Sequence, residues 1–204
     1  MNVIETKRLL LKTAYTERDG EAFLRMMKEE GACQSLFGIP LSDDIEEKLY
    51  HYFDTDDCLF AIFEKAADAE MIGYIGVSYR NGSYEVEFYL SKPFRNRGYC
   101  TEALVLLVDL YFEGKLALTE DKEHPEELNF LYGSFLTENK ATQRVLEKCG
   151  FGKNPQREIL NELFYNPKTE EVISMSMREL AITKERWARE RSGNGWHENV
   201  VKKE

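Results

Sequence analysis

LSKPFRNRGYCTEA, residues 90–103, is the stretch of this chain that decides its fold. A strand is predicted to end at Leu90, and after Pro93 the spacing of apolar residues changes from two to three and four. The helix that follows is predicted over residues 101–112, with a continuous apolar face, and it ends at Gly114. The stretch is therefore a strand, a short loop and a buried helix.

Three basic residues, Lys92, Arg95 and Arg97, lie in this loop, although the chain has a formal net charge of −10. The first N–H groups of a helix have no backbone partner, and the helix dipole adds partial positive charge there. The loop and the helix start therefore suit a phosphate group. Gly98 lets a ligand approach the backbone, and Cys100 is small enough for a tight turn. The alternative is that Gly98 is simply a turn residue.

Working outward, apolar periodicity and turn residues predict the other elements. Strands are predicted over 5–12, 58–64, 71–79, 84–90, 129–137, 158–165 and 171–177, and helices over 17–30, 42–53, 101–112 and 139–149. Asn81-Gly82 favours a hairpin between two of these strands. Hairpins mixed with strand–helix–strand crossovers indicate an α+β fold with a mixed, mostly antiparallel sheet. We expect one domain over 1–180 and a charged C-terminal tail over 181–204.

Composition excludes several classes of protein. With 204 residues, 43% of them hydrophobic, the chain can bury one continuous core and is not intrinsically disordered. Its acidity argues against binding nucleic acid, and it has neither an apolar run of membrane-spanning length nor a secretory signal, so we expect a cytoplasmic protein. Four scattered cysteines and three histidines show no metal-binding spacing, and a Cys–His nucleophilic pair stays open.

Three segments resemble one family, the GNAT N-acetyltransferases. Arg95–Cys100 is similar to the Arg/Gln-x-x-Gly-x-Gly/Ala element that holds the pyrophosphate of coenzyme A, with Cys100 in the Gly/Ala position. Asn139–Phe151 is similar to the family's Asn-x-Ala-Ser helix, and Glu5–Leu11 to the branch of ribosomal-protein N-terminal acetyltransferases. The resemblance covers about residues 5–180. It implies a twisted sheet of about seven strands flanked by about four helices, with acetyl-CoA as cosubstrate and no metal.

The resemblance also implies which residues bind acetyl-CoA. They are Tyr89, Leu90, Arg95, Asn96, Arg97, Gly98, Tyr99, Cys100, Thr101, Asn139 and Thr142. Within this set, backbone N–H groups near Tyr89 and Leu90 are expected to stabilise the oxyanion. Asn139 also suits a helix N-cap, and both roles are compatible. Leu146 stands where many members have a tyrosine, so that phenol is missing as a donor to the leaving thiolate.

Two glutamates are candidates for the general base that an attacking amine needs. Glu85 and Glu87 lie two residues apart on one predicted strand, so their side chains share one face of the sheet. Proximity of like charges and partial burial raise a carboxyl pKa toward neutrality. The alternative is a solvated face on which Glu85 pairs with Arg80 or Ser78.

The acceptor is less well defined by the sequence. Residues 43–57 hold seven acidic residues against Lys48 alone. This run is either a solvated face or a surface that attracts a cationic amine: a small molecule such as a polyamine or an aminoglycoside, or a basic protein N-terminus. Trp187 and Trp196 either pack on a second subunit in a homodimer or belong to a frayed end. Besides an N-acetyltransferase, two readings stay open: a non-catalytic coenzyme A-binding module, and a protein for another phosphorylated ligand.

Overall fold

The computed structural model describes residues 3–13, 16–29, 32, 58–66, 69–80, 82–118, 128–154, 159–166, 169 and 171–192. In these ranges the chain forms nine strands and four α-helices. The strands are β1 (Val3–Glu5), β2 (Leu9–Lys12), β3 (Cys58–Glu64), β4 (Met71–Arg80), β5 (Ser83–Leu90), β6 (Phe130–Leu136), β7 (Gly152–Lys153), β8 (Ile159–Asn166) and β9 (Glu171–Thr183). The helices are α1 (Glu17–Met27), α2 (Tyr99–Phe112), α3 (Lys140–Lys148) and α4 (Lys184–Ser192).

All nine strands belong to one sheet, in the order β1-β2-β3-β4-β5-β6-β9-β7, with β8 also paired to β9. Every pair is antiparallel except β5 and β6. The predicted mixed, mostly antiparallel sheet is thus confirmed. The predicted strand over 5–12 is two strands, because the Thr6 N–H bonds to the Leu9 carbonyl at 3.0 Å and turns the chain. The two-residue strand β7 is too short for its period to be recognised.

Side-chain caps begin two of the helices where the sequence indicates. The Thr16 hydroxyl accepts from the Asp19 N–H, and the Asp19 carboxylate accepts from the Thr16 N–H, which forms a complete capping box before α1. Asn139 caps α3 through the Thr142 N–H at 3.1 Å. The predicted helix over 42–53, Asn81 of the predicted hairpin and the acidic run over 43–57 lie outside the described residues.

The helices cover both faces of the sheet. Residues of α2 and α3, among them Leu104, Leu107 and Leu146, pack in the larger core cluster on one face. Phe23 of α1 packs edge-to-face on Tyr74 in the smaller cluster on the other face. Alternation along β5 therefore directs its odd-numbered side chains toward the α1 face and its even-numbered ones toward α2 and α3.

The domain extends beyond the predicted boundary at residue 180. Strand β9 continues to Thr183, and Ile182 is fully buried in the core. Trp187 of α4 stacks on Phe112 with ring centroids 5.3 Å apart and donates to the Asp109 carboxylate at 2.7 Å. This corrects the assignment of 181–192 to an appended tail: charged residues dominate this segment, but a few apolar side chains dock it.

Candidate active site

Two residues in left-handed conformation shape the loop before α2. Asn96 has φ of 62° and Gly98 has φ of 80°. Asparagine tolerates this conformation better than most residues do, and glycine adopts it without strain. A Cβ atom on Gly98 would lie 3.3 Å from the Arg8 guanidinium, so a side chain there meets both backbone strain and a close neighbour. For these two reasons the turn requires glycine at position 98.

The turn leaves a run of backbone donors without protein acceptors. Among the described residues, no atom accepts a hydrogen bond from the amide N–H groups of 96–101, and the Glu102 N–H is the first of the helix to bond, to the Gly98 carbonyl at 3.0 Å. The N-terminal end of α2 adds partial positive charge. Residues 96–101 can therefore bind an anion such as a diphosphate through main-chain N–H groups.

The two arginines of the loop have different surroundings. Arg95 folds back, donates through Nε to the Leu90 carbonyl at 2.8 Å, and stacks over the Tyr89 ring at 4.9 Å. Its Nη2 atom lies 3.5 Å from the Glu29 carboxylate. The Arg97 side chain is half exposed, and its Nη1 atom lies 3.8 Å from the Glu64 carboxylate. Arg95 thus fixes the loop to the end of β5, while Arg97 pairs with Glu64 at the surface.

Glu29, just after α1, is bonded to the candidate site although no pattern in the sequence marks it. Its carboxylate accepts hydrogen bonds from the Tyr89 hydroxyl at 3.0 Å, from the Ser91 hydroxyl and from the Lys92 N–H at 3.1 Å. Burial raises the pKa of Tyr89 to about 12; the nearby Arg95 opposes this shift and Glu29 adds to it. Tyr89 is therefore protonated at neutral pH, and Glu29 joins the end of α1 to the start of the loop.

A second buried carboxylate, Glu102 in the first turn of α2, receives three hydrogen bonds that we call the Glu102 clasp. Its donors are the Thr6 hydroxyl at 2.5 Å, the Arg8 N–H at 2.8 Å and the Arg8 Nε atom at 2.7 Å. The Arg8 guanidinium also donates to the Arg97 carbonyl at 2.9 Å and lies over the Tyr99 ring. Burial alone raises the pKa of the Glu102 carboxyl, but the hydrogen bonds from Thr6 and Arg8 outweigh it and lower that pKa below its ordinary value.

The parallel strands β5 and β6 separate beside this loop. In the described part of the chain they pair at one position, Glu85 opposite Tyr132. Both strands continue beyond that position, β5 to Leu90 and β6 to Leu136, without a further paired residue among those described. A cleft between two strands therefore opens toward the loop, because Leu90 leads directly into residues 91–101.

The antiparallel ladder decides which backbone groups of β5 face this cleft. The Ser91 N–H bonds to the Ile72 carbonyl of the β4 side at 2.9 Å, so alternate residues back along β5, including Tyr89, also direct their N–H groups to β4. Phe88 and Leu90 direct theirs to the β6 side. The cleft is thus lined by the N–H groups of Phe88 and Leu90, and the Leu90 carbonyl is occupied by Arg95.

Comparison with known proteins agrees with this arrangement. The family described as "Acetyltransferase (GNAT) domain" matches residues 8–152, which include Arg8 and Glu102 of the clasp, the cleft and the loop. This chain belongs to the GNAT acetyltransferase family. Members of the family use acetyl-CoA as cosubstrate, and the chain is accordingly an acetyltransferase. No curated protein matches the sequence significantly.

Solved structures show the same fold at low sequence identity. A GNAT-family acetyltransferase from Bacillus anthracis is 18% identical, with a TM-score of 0.67 over 90% of this chain and 99% of its own. A ribosomal-protein-S5-alanine acetyltransferase from Vibrio fischeri is 12% identical, with a TM-score of 0.63 over 92% of this chain and 99% of its own. An acetyltransferase from Agrobacterium tumefaciens is 19% identical, with a TM-score of 0.60 over 89% and 94%.

In this GNAT domain the two candidate bases lie on the α1 face of β5 and differ in their partners. Glu87 forms an ion pair with Arg80, with 3.4 Å between Nη2 and Oε2. Glu85 is half-buried, stands opposite Ser78 on one side and Tyr132 on the other, and lies where β5 and β6 begin to separate. Arg80, considered above as a partner for Glu85, pairs with Glu87.

The GNAT helix α3 explains the missing tyrosine. Leu146 is fully buried, and a Cβ atom on Gly133 of β6 would lie 2.7 Å from its Cδ2 atom. The position is therefore filled by an apolar side chain that packs in the core. Asn139 uses its side-chain oxygen to cap the helix at Thr142, as its N-cap interpretation predicts.

Two of the described cysteines of this GNAT protein, Cys100 and Cys149, are not activated nucleophiles. Burial raises the pKa of Cys100 to about 12 and that of Cys149 well above its ordinary value. Both are thiols at neutral pH, and thiols are weak nucleophiles.

In the ranges given above, no group of three or more His, Cys, Asp or Glu residues is arranged to hold a metal ion. The described helices are also too short or too polar to cross a membrane.

Proposed function

We propose that this protein transfers the acetyl group of acetyl-CoA to a primary amine by direct attack of the amine on the thioester. The proposal is carried by one observation: the unpaired amides of 96–101 stand at the end of the cleft between β5 and β6. An anion-binding loop at the end of an open strand pair suits a cosubstrate with a diphosphate at one end and a reactive thioester at the other.

Each part of the cleft has a role in this proposal. The amides of 96–101 and the exposed Arg97 bind the diphosphate, with Asn139 and Thr142 beside the pantetheine arm. The N–H groups of Leu90 and Phe88 face the cleft and stabilise the oxyanion, and Leu90 retains the role that the family resemblance implies. The Tyr89 N–H is directed to β4, so Tyr89 contributes through its ring contact with Arg95.

Glu85 is the proposed general base. An alkylamine has a pKa of about 10.4, so at pH 7 only about one molecule in 2,500 is unprotonated. Glu85 takes a proton from the ammonium, and the neutral nitrogen forms a bond to the acetyl carbon. The bond from that carbon to sulfur then breaks, and coenzyme A leaves as a thiolate that takes the second proton lost by the nitrogen. Glu87 is the second candidate, and its carboxylate forms an ion pair with Arg80.

The acceptor is proposed to be a cationic small molecule or a protein N-terminus. The acidic run over 43–57 supports a cation by its charge, and the similarity to the Vibrio fischeri enzyme, whose title names an alanine of ribosomal protein S5, supports an N-terminal amine. A cytoplasmic location and a homodimer remain parts of the same proposal.

Coenzyme A binding and acetyl transfer test the proposal directly. Calorimetry with coenzyme A is expected to give saturable binding, and coenzyme A at 100 times its Kd adds about 2.7 kcal/mol of stability. Nucleoside triphosphates serve as the control for an unrelated phosphorylated ligand and are expected to add much less. Thioester loss from acetyl-CoA is then followed with a panel of amines. Absence of coenzyme A binding would overturn the proposal.

One observation favours a second candidate, a non-catalytic coenzyme A-binding module. Leu146, which is buried in the core, stands where many family members have a tyrosine that could protonate the leaving thiolate. This candidate predicts tight coenzyme A binding with no amine-dependent thioester loss for any member of the panel. Amine-dependent loss of thioester excludes it.

A further inference from the structure

The α1 face of the sheet holds a buried carboxylate that the proposed mechanism does not use. Glu179 of β9 is 2% exposed. Its Oε1 atom accepts from Asn154 at 2.7 Å, whereas its Oε2 atom is buried without a hydrogen-bond partner. Ser134, the cross-strand neighbour of Glu179 on β6, also has a buried hydroxyl without a partner. The carboxylate oxygen of Glu179 and the hydroxyl of Ser134 are thus both buried without a hydrogen-bond partner.

This pair lies next to the cleft. Leu131 and Phe135 of β6 pack in the core with α2 and α3, so alternation places Tyr132 and Ser134 on the opposite face. Tyr132 stands opposite Glu85, and Ser134 follows it where β6 no longer pairs with β5. Glu85 and the Ser134–Glu179 pair therefore share one face of the sheet, on either side of the opening.

The unsatisfied oxygens need a donor. A buried polar atom without a partner costs about 1–3 kcal/mol, and more when it is charged. None of the described residues forms an ion pair with Glu179, and its neighbour Arg178 is directed to the other face by alternation. An ammonium group carries three N–H donors and a positive charge, which suits a hydroxyl and a carboxylate on neighbouring strands.

The distance between Glu85 and Glu179 shows that the ammonium beside Glu179 is not the amino group that reacts beside Glu85. Glu85 lies on β5 and Glu179 on β9, with β6 between them, so two strand spacings of about 4.8 Å separate the backbones of the two glutamates. One amino group cannot contact both carboxylates over that distance. An acceptor with two amino groups can place one beside Glu85 and the other between Ser134 and Glu179.

We propose that Glu179 and Ser134 bind the distal ammonium of a diamine or polyamine acceptor, while the proximal amine reacts beside Glu85. This inference rests on the proposed function and specifies its substrate class. Glu179 binds charge and does not take part in the proton transfer. Its interaction with the distal ammonium replaces the missing hydrogen bond of Oε2.

The test compares two amines that differ only in the distal group, cadaverine and pentylamine. A charged hydrogen bond contributes about 1.5–3 kcal/mol, so wild-type kcat/KM for cadaverine is expected to exceed that for pentylamine by about 10- to 100-fold. In Glu179→Gln, which keeps an oxygen for Asn154, the ratio is expected to fall to about twofold or less, with coenzyme A affinity and kcat for pentylamine unchanged. Ser134→Ala lowers the ratio by a smaller factor.

Glu171→Gln is the matched control, since Glu171 is an exposed glutamate at the other end of the same strand. It is expected to leave the preference for cadaverine intact. Equal rates with the two amines in the wild type, or a preference that persists in Glu179→Gln, overturn the inference. So does a loss of the preference in Glu171→Gln as large as in Glu179→Gln.

A binding measurement separates this inference from the proposed function. Calorimetry of cadaverine is run with and without coenzyme A, on the wild type and on Glu179→Gln. Cadaverine binding that is lost in Glu179→Gln supports the diamine site even if coenzyme A does not bind and the proposed acetyl transfer fails. Absence of cadaverine binding to the wild type overturns the diamine site, even if coenzyme A binds and other amines are acetylated.

Discussion

Replacing Arg8 by alanine tests whether the Glu102 clasp positions the loop of residues 95–101, which is proposed to bind coenzyme A. The change removes the ion pair to Glu102 at 2.7 Å, the hydrogen bond to the Arg97 carbonyl and the contact with the Tyr99 ring, but keeps the Thr6 and backbone donors to Glu102. Arg8 is partly exposed while the Glu102 side chain is 9% exposed, which places the pair between a surface and a buried one.

The magnitude follows from these contacts. A hydrogen bond to a charged group contributes about 1.5–3 kcal/mol and an exposed cation–π contact about 0.5–1 kcal/mol, so Arg8→Ala is expected to lose about 2–3 kcal/mol of stability. For a chain of this length that corresponds to a Tm lower by about 4–12 °C. Because Arg8 also positions the Arg97 carbonyl, the Kd for coenzyme A is expected to rise about 5- to 10-fold, with the acceptor KM unchanged.

Thermal unfolding and calorimetry measure the two effects separately. Arg18→Ala is the control, since Arg18 lies 3.5 Å from Glu70 in an exposed pair, and pairs of that kind contribute about 0–1 kcal/mol. Arg8→Lys restores the charge, but the ammonium group lacks the planar guanidinium that donates to both the Glu102 carboxylate and the Arg97 carbonyl. It is therefore expected to recover only part of the lost stability. Unchanged coenzyme A affinity in Arg8→Ala would refute the positioning role, and unchanged Tm would refute the clasp itself.

The Glu102 clasp also predicts that the folded protein loses stability in acid. The pKa of the Glu102 carboxyl is lower in the folded state than its ordinary value of 4.5. A group of this kind stabilises the fold above its unfolded pKa, and the stabilisation is lost as pH falls through the folded pKa. Denaturant titrations below pH 4.5 are therefore expected to show a smaller acid-dependent loss in Glu102→Gln than in the wild type. An equal loss in both proteins would contradict this.

Three further predictions follow from the site and the core. Glu85→Gln is expected to lower kcat about 100-fold or more with coenzyme A affinity unchanged, whereas the exposed control Glu70→Gln keeps full turnover; unchanged turnover in Glu85→Gln would disprove the base. Gly133→Ala costs about 1–2 kcal/mol in denaturant unfolding because it crowds Leu146, and a double-mutant cycle with Leu146→Ala is expected to show coupling; strict additivity would contradict the contact. Trp187→Ala is expected to cost about 2–3 kcal/mol, and a Tm equal to that of the wild type would show that α4 is not docked.

Much of the fold could be predicted from local patterns. The helix boundaries at Thr16 and Asn139 follow from side chains that cap their own helix, and the loop before α2 follows from basic residues and a glycine adjacent in sequence. These are interactions between residues a few positions apart, so they are visible in the sequence. The sequence left open whether a cysteine acts as a nucleophile, because the pKa of a thiol depends on its burial. The structure shows that burial raises the pKa of Cys100 and of Cys149.

By itself, the sequence predicted a phosphate-binding loop over residues 95–101 and placed Glu85 and Glu87 on one face of a strand. Only the tertiary structure decided that Arg8 and Glu102, 94 positions apart, meet at that loop. It also paired Glu87 with Arg80 and left Oε2 of Glu179 unsatisfied. The physical reason is that backbone conformation depends on near neighbours, whereas charge pairing and burial depend on which distant segments pack together.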